Sequence, residues 1–215
     1  MTLPTPTAGA VMIWDSVSGG VIASNGYSGS LVSPPVPPTS DYNGIHNFST
    51  SSAQPGGNAG AYYYIPGSAL TMPATYQKGI IAGTTMRWFV RMSKTAAGTG
   101  AFNVGIYMGT NGSISDTREV TQSIGIATAA LDDLLLIVVL TFTSTTAAYW
   151  SIGVSHSAAT ATGFGCATGS SNFSGTLSGL TTTTGGLVFG LGYSNTTGTA
   201  VITIPMVHSE ALGVV

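Results

Sequence analysis

Nine consecutive residues, Leu134-Leu135-Leu136-Ile137-Val138-Val139-Leu140-Thr141-Phe142, narrow what this chain can fold into. A bilayer-spanning helix needs about 20 apolar residues, so the run is too short for one. Its length and β-branched content read as a buried strand. Asp132 and Asp133 stand at its entrance and Thr143-Ser144-Thr145-Thr146 at its exit. Side chains of a strand alternate between faces. Leu134, Leu136, Val138, Leu140 and Phe142 therefore share one face, and Leu135, Ile137, Val139 and Thr141 the other. Because both rows are apolar, both faces are expected to be covered, one by an opposing sheet and the other by an arm or an adjacent subunit.

The neighbouring segments alternate more simply, as half-buried strands do. Met86, Trp88, Val90 and Met92 fall on one face of residues 84–93. Phe102, Val104, Ile106 and Met108 share a face of the next strand, and Asn111-Gly112 follows as a hairpin signal. Residues 117–127 carry Val120, Ile124 and Ile126. After the central run, Trp150, Ile152 and Val154 alternate within 148–156, and residues 158–184 are expected to hold one short strand among long loops. Leu187, Phe189, Leu191 and Tyr193 share a face, backed by Gly190 and Gly192, which leave room for close approach. Residues 199–208 close the chain, with Val201, Thr203, Pro205 and Val207 opposed to Ile202, Ile204 and Met206. Seven or eight strands with no amphipathic helix predict an all-β, antiparallel two-sheet jelly-roll sandwich over residues 79–215. An immunoglobulin-like sandwich is the runner-up, weakened by longer strands and the absence of a Cys…Trp…Cys pattern.

Residues 1–78 read differently. Turn signals, the donor-poor run Ser33-Pro34-Pro35-Val36-Pro37-Pro38 and a Ser/Gly/Asn-rich stretch predict an extended, largely irregular N-terminal arm with docking loops. Ala10–Trp14 and Ala61–Ile65 are its plausible short strands. Three consecutive tyrosines in a strand cannot all point inward. The candidate interface residues are therefore Trp14 on the arm, Tyr62, Tyr63 and Tyr64, and Ile137 and Val139 on the second face of the central run.

Composition bears on partners. Charged residues are 6% of the chain against 43% hydrophobic, with a formal net charge of -2. Soluble monomers ordinarily rely on more surface charge than this, so much of the surface is expected to be covered by copies of the chain or by a larger assembly. Five basic residues are too few to clamp phosphates, and nucleic acid is not an expected partner. Arg87, Arg91 and Lys94 make a local patch at best. Cys166 is the lone cysteine, so neither an intrachain disulfide nor a cysteine zinc site is expected. Met1–Pro6 lacks a secretory pattern, which fits folding in a reducing cytoplasm. No membrane partner and no cofactor are expected.

No catalytic constellation emerges. Asp132-Asp133 has no partner carboxylate selected by spacing and reads as a loop cap. His46, His156 and His208 are too scattered for a metal pair. Asp116 and Glu119 near Asn111 offer oxygen ligands, but the pattern is ordinary turn chemistry. Cys166 reads as a small core residue.

The run Gly83-Thr84-Thr85-Met86-Arg87-Trp88-Phe89-Val90-Arg91, continued by Gly105-Ile106-Tyr107-Met108-Gly109-Thr110-Asn111-Gly112, resembles the first hairpin of jelly-roll proteins from tailed-bacteriophage virions. The uncharged Thr/Gly/Ala/Ser texture and the Leu-Leu-Leu-Ile-Val-Val strand are similar too, over roughly residues 79–208. The resemblance implies a non-enzymatic virion component assembled in the host cytoplasm, homotrimeric on the particle surface and fastened by its N-terminal arm. A capsid decoration (cement) protein contacting the major capsid protein is the first expectation. The alternative is a tail-fibre or lectin-like adhesion module that grips surface glycans through loop aromatics.

Overall fold

The computed structural model describes residues 11–15, 20–24, 45–49, 53–55, 60–72, 80–95, 99–157, 162–166, 170–182, 186–197 and 201–213. The chain divides into two compact units, Met1–Asp41 and Tyr42–Val215. In the first, β1 (Val11–Asp15) and β2 (Gly20–Ser24) pair as an antiparallel hairpin.

The second unit is an all-β sandwich. Its strands are β3 (Ile45–Ser49), β4 (Ala53–Pro55), β5 (Tyr63–Tyr64), β6 (Leu70–Thr71), β7 (Thr85–Lys94), β8 (Thr99–Gly109), β9 (Thr117–Ala127), β10 (Asp132–Phe142), β11 (Ala147–His156), β12 (Ser170–Ser178), β13 (Val188–Thr197) and β14 (Val201–Leu212). The larger sheet runs β12-β11-β10-β7-β14-β3, with β4 also on β14. The smaller runs β5-β13-β8-β9, with β6 also on β13. Every pairing is antiparallel. The chain moves between sheets from β4 to β5, β6 to β7, β7 to β8, β9 to β10, β12 to β13 and β13 to β14, a jelly-roll-like winding. Residues 45–71, counted with the arm in the sequence reading, contribute four short strands to the edges of these sheets.

The core lies between the inner rows. Trp88, Leu136, Val138, Ile152 and Val207 from the large sheet, and Phe102, Leu191 and Tyr193 from the small one, are fully buried. Each fills a period-two position, so burial follows from alternation. Phe102 meets the Phe164 ring edge-on at 4.9 Å and stacks on Tyr193 at 5.9 Å. Burial of a side chain this size stabilises by roughly 1.5–3 kcal/mol. The Trp88 indole and the Ser68 hydroxyl, both carried inward, are satisfied. Trp88 Nε1 donates to the Ser68 carbonyl at 2.7 Å, and Ser68 Oγ donates to Ile65 O while accepting from Leu191 N.

Three local expectations change. In β14 the pairing with β7 shifts between Thr203 and Met206. Pro205 lies in that interval and cannot donate to the ladder. The bulge flips the phase: Ile202 and Ile204 point in, then Val207, Ser209 and Ala211, while Met206 is exposed. A shift in the β8–β9 register near Phe102 likewise turns Ile126 outward and Ala127 inward. Residues 158–184 hold β12, a full nine-residue strand.

Candidate functional site

The central strand β10 sits between β7 and β11 in the large sheet. Its even row is buried at 0–1% exposure. Its odd row is not covered among the described residues: Leu135 is 37% exposed, and Ile137 and Val139 are half-buried. The expected second cover is thus absent from the described sandwich, and the row lies on the sheet's outer face. Neighbouring strands shield its sides only.

The register across the sheet lays this face out in rows. Met206, Arg91, Leu135 and Ser155 form the first, and His208, Phe89, Ile137, Gly153 and Asn172 the second. Glu210, Arg87, Val139, Ser151 and Ser174 form the third; Thr85, Thr141, Tyr149 and Thr176 lie in the fourth. Within these four rows the charge is all on the β14 and β7 side, where Arg87 pairs with Glu210 at 3.4 Å. His208 lies 3.8 Å from Glu210 and tilts against Phe89. The β11 and β12 side of these rows holds only hydroxyls, an amide, a glycine and the 59%-exposed Tyr149. Tyr149 borders a shallow trough lined by Val139, Thr141, Ser151, Ser174 and Thr176. The face therefore changes from charged to uncharged across an apolar stripe.

The other predicted interface residues lie elsewhere. Tyr62, Tyr63 and Tyr64 pack on the small sheet, so the structure does not bring them together with Ile137 and Val139. Tyr63 turns inward and stacks on Tyr193 at 5.9 Å. Tyr62 and Tyr64 both meet Tyr107 edge-on, at 6.2 and 6.1 Å, and the Arg118 guanidinium lies 4.1 Å above the Tyr62 ring. The floor under this group is glycine. A Cβ on Gly190 would stand 1.7 Å from the Tyr64 hydroxyl, and one on Gly192 would stand 2.7 Å from the Tyr107 ring. The close approach expected at Gly190 and Gly192 is thus made by tyrosines. Burial pushes the Tyr64 phenol up to about 12. Trp14 is in β1, opposite Val21; its side chain lies outside the described residues.

One cluster went unread in the sequence. Lys94, Asp132 and His156 each end the inner row of their strand, and all three are buried. Lys94 and Asp132 are register partners. The Asp132 carboxylate meets His156 Nδ1 at 3.0 Å and accepts from Phe164 N at 3.0 Å and Ser157 Oγ at 3.3 Å. Lys94 Nζ donates to the Thr95, Thr128 and Ala130 carbonyls. Burial lowers its pKa, which the nearby Asp132 partly offsets. Lys94 therefore does not extend a basic patch with Arg87 and Arg91. Asp133 sits at the strand entrance as a cap: it accepts from Ser93 Oγ, and its N–H donates to Ser157 Oγ. The group closes one end of the core and pins the 162–166 loop.

Asp116 has a similar task. Its two oxygens accept from Asn111 N, Asn111 Nδ2, Gly112 N and Ser113 N at 2.7–3.2 Å. Burial would raise this carboxyl, but together these donors outweigh it and hold the pKa below the ordinary value. The β8–β9 connection is thus a clamped loop with Gly112 at φ 62°, not a two-residue turn. Among the described residues, no three His, Cys, Asp or Glu side chains converge as a metal ion would require.

No protein-family model matches the chain, and no curated protein matches it. Solved structures of infectious bursal disease virus particles are similar in part. One, of the Gx strain, is 14% identical over 80% of this chain and 41% of that one, with a TM-score of 0.27. A T=1 particle derived from the virus is 15% identical, covering 80% and 40%, with a TM-score of 0.26. A VP2 subviral particle is 13% identical, covering 90% and 44%, also with a TM-score of 0.26. The chain spans about two fifths of the length of these proteins, and scores of this size fall short of a shared fold.

Proposed function

We propose that this chain is a virion structural protein, and specifically a decoration protein of a phage head. The observation that supports this reading most is the outer face of the large sheet. Leu135, Ile137 and Val139 stand half-exposed beside an uncharged expanse of Tyr149, Ser151, Ser174 and Thr176. Such a face desolvates few ions when covered, so little electrostatic cost opposes its burial. Ile137 and Val139 are the centre of the contact. The segment 1–41, with Trp14, is the second point of attachment, and two linked contacts multiply avidity. Tyr62 and Tyr64 present only the rim of a packed cluster and serve as a lesser contact. No catalytic step is part of this function.

Bare heads mixed with the purified protein test the reading. Wild type should co-sediment with them, and the double variant Ile137→Asp, Val139→Asp should not, although it remains folded by circular dichroism. Undiminished binding by that variant would remove the sheet face from the interaction.

Tyr149 favours one second reading, a glycan-binding adhesion module. An exposed aromatic ring beside hydroxyls can stack on a sugar. On that reading the protein binds whole cells instead of heads, and Tyr149→Ala abolishes the binding.

A further inference from the structure

Sheet edges expose unpaired N–H and C=O groups, and natural sandwiches blunt them with charge, proline, bulges or shortness. Three edges of this sandwich are blunted. β3 and β4 share one in pieces of five and three residues. β5 and β6 share another in two-residue pieces. β9 carries Arg118 and Glu119 and slips register twice against β8. The fourth edge, β12, has none of these protections. Its nine residues contain no charge and no proline, and its pairing with β11 is unbroken from Ser178 to Ser170. Among the described residues no strand pairs with its outer side.

We infer that β12 is a self-association edge, where a second copy of this chain adds its own β12 antiparallel about a two-fold axis through Ser174. The strand is self-complementary in that register. On the outer side Ser174 meets itself, and Asn172 lies opposite Thr176, so polar side chains face each other without like charges. On the inner side the bulky Phe173 falls opposite Gly175, and Leu177 opposite Ser171. Phe173 and Leu177 are half-buried and already packed against the core, so pairing completes their cover. The indole of Trp150 already crosses Gly175, where a Cβ would stand 2.7 Å from it. Phe173 of the second copy comes up against that ring. A one-residue slip would turn Phe173 and Leu177 to the wrong face, so the hydrophobic pattern excludes it. The joined sheets carry the uncharged half of the outer face continuously across two copies.

This inference does not rest on the virion reading, and its test contains no capsid. Sedimentation of the full chain should show reversible dimerisation. Ser174→Lys sets two ammonium groups against each other across the axis. Like-charge juxtaposition at an interface costs several kcal/mol, so this variant should dimerise at least about tenfold more weakly. Register is read by mild oxidation of exposed-site variants, since the native Cys166 is fully buried. Ser174→Cys should cross-link with itself. Asn172→Cys should cross-link with Thr176→Cys in a mixture and not with itself. A monomer at every concentration overturns the inference. So does undiminished association of Ser174→Lys, or an oligomer in which Ser174→Cys fails to cross-link.

Discussion

Asp132 shows how much one side chain organises here. It holds His156, Ser157 and the Phe164 amide at once, in a site where the Asp132 and His156 side chains are wholly buried. Removing His156 takes one buried hydrogen-bond partner from the Asp132 carboxylate, which costs about 1–3 kcal/mol. His156→Leu is expected to lower unfolding stability by an amount of that order, measured in denaturant. Asp116 predicts a pH dependence of definite sign. Its folded pKa is depressed, so its contribution is present above the unfolded carboxylate value and is lost as pH falls through the folded one. Below roughly pH 4, wild type should therefore lose stability that Asp116→Asn never had, and the two unfolding curves should converge. Both roles were partly legible. Lys94, Asp132 and His156 each continue an inward-facing row by simple alternation. That periodicity was visible, but the pairing of residues 24 apart depends on the β10–β11 register, which one strand's pattern does not contain.

At the scale of elements, alternation located β7, β8, β10, β11 and β13 because each has a strong apolar row on one side. It failed where the ladder is interrupted. Pro205 reverses the inward row of β14, and the β8–β9 shift exposes Ile126; neither bulge has a marker in hydrophobic spacing alone. The polar strand β12 has little hydrophobic signal because five of its nine residues are serine or threonine, and its place in the sheet comes from pairing with β11. The second apolar row of β10 forms an outward stripe that neighbouring strands shield only at its sides, and the arm or subunit expected to cover it lies outside the described sandwich. Glycines test these elements directly. A Cβ at Gly125 would stand 2.2 Å from the Gly165 carbonyl oxygen, a backbone atom that cannot turn aside. At Gly190 the obstacle is the Tyr64 side chain, which can swing outward. Overpacking typically costs about 1–3 kcal/mol. Gly125→Ala should therefore lower the melting temperature more than Gly190→Ala, and only the latter should shift the near-ultraviolet tyrosine signal without global loosening.

For the molecule as a whole, scarcity of charge is the governing property. Five basic and seven acidic side chains leave little for salt to screen. Self-association measured by light scattering should accordingly be unchanged or strengthened between low and high sodium chloride; dissociation in salt would mean that the Arg87 and Arg91 side of the sheet makes the contact. The end of the sandwich closed by Asp132 also carries Cys166, a solitary thiol at 0% exposure. Burial, with the Asp132 charge adding to it, pushes that thiol up to about 11. A thiolate reagent at neutral pH thus finds almost nothing to attack until the 162–166 loop lifts. The protein thereby contains its own clock for breathing at that end: the labelling rate of Cys166 counts loop openings, and His156→Leu should make it run fast.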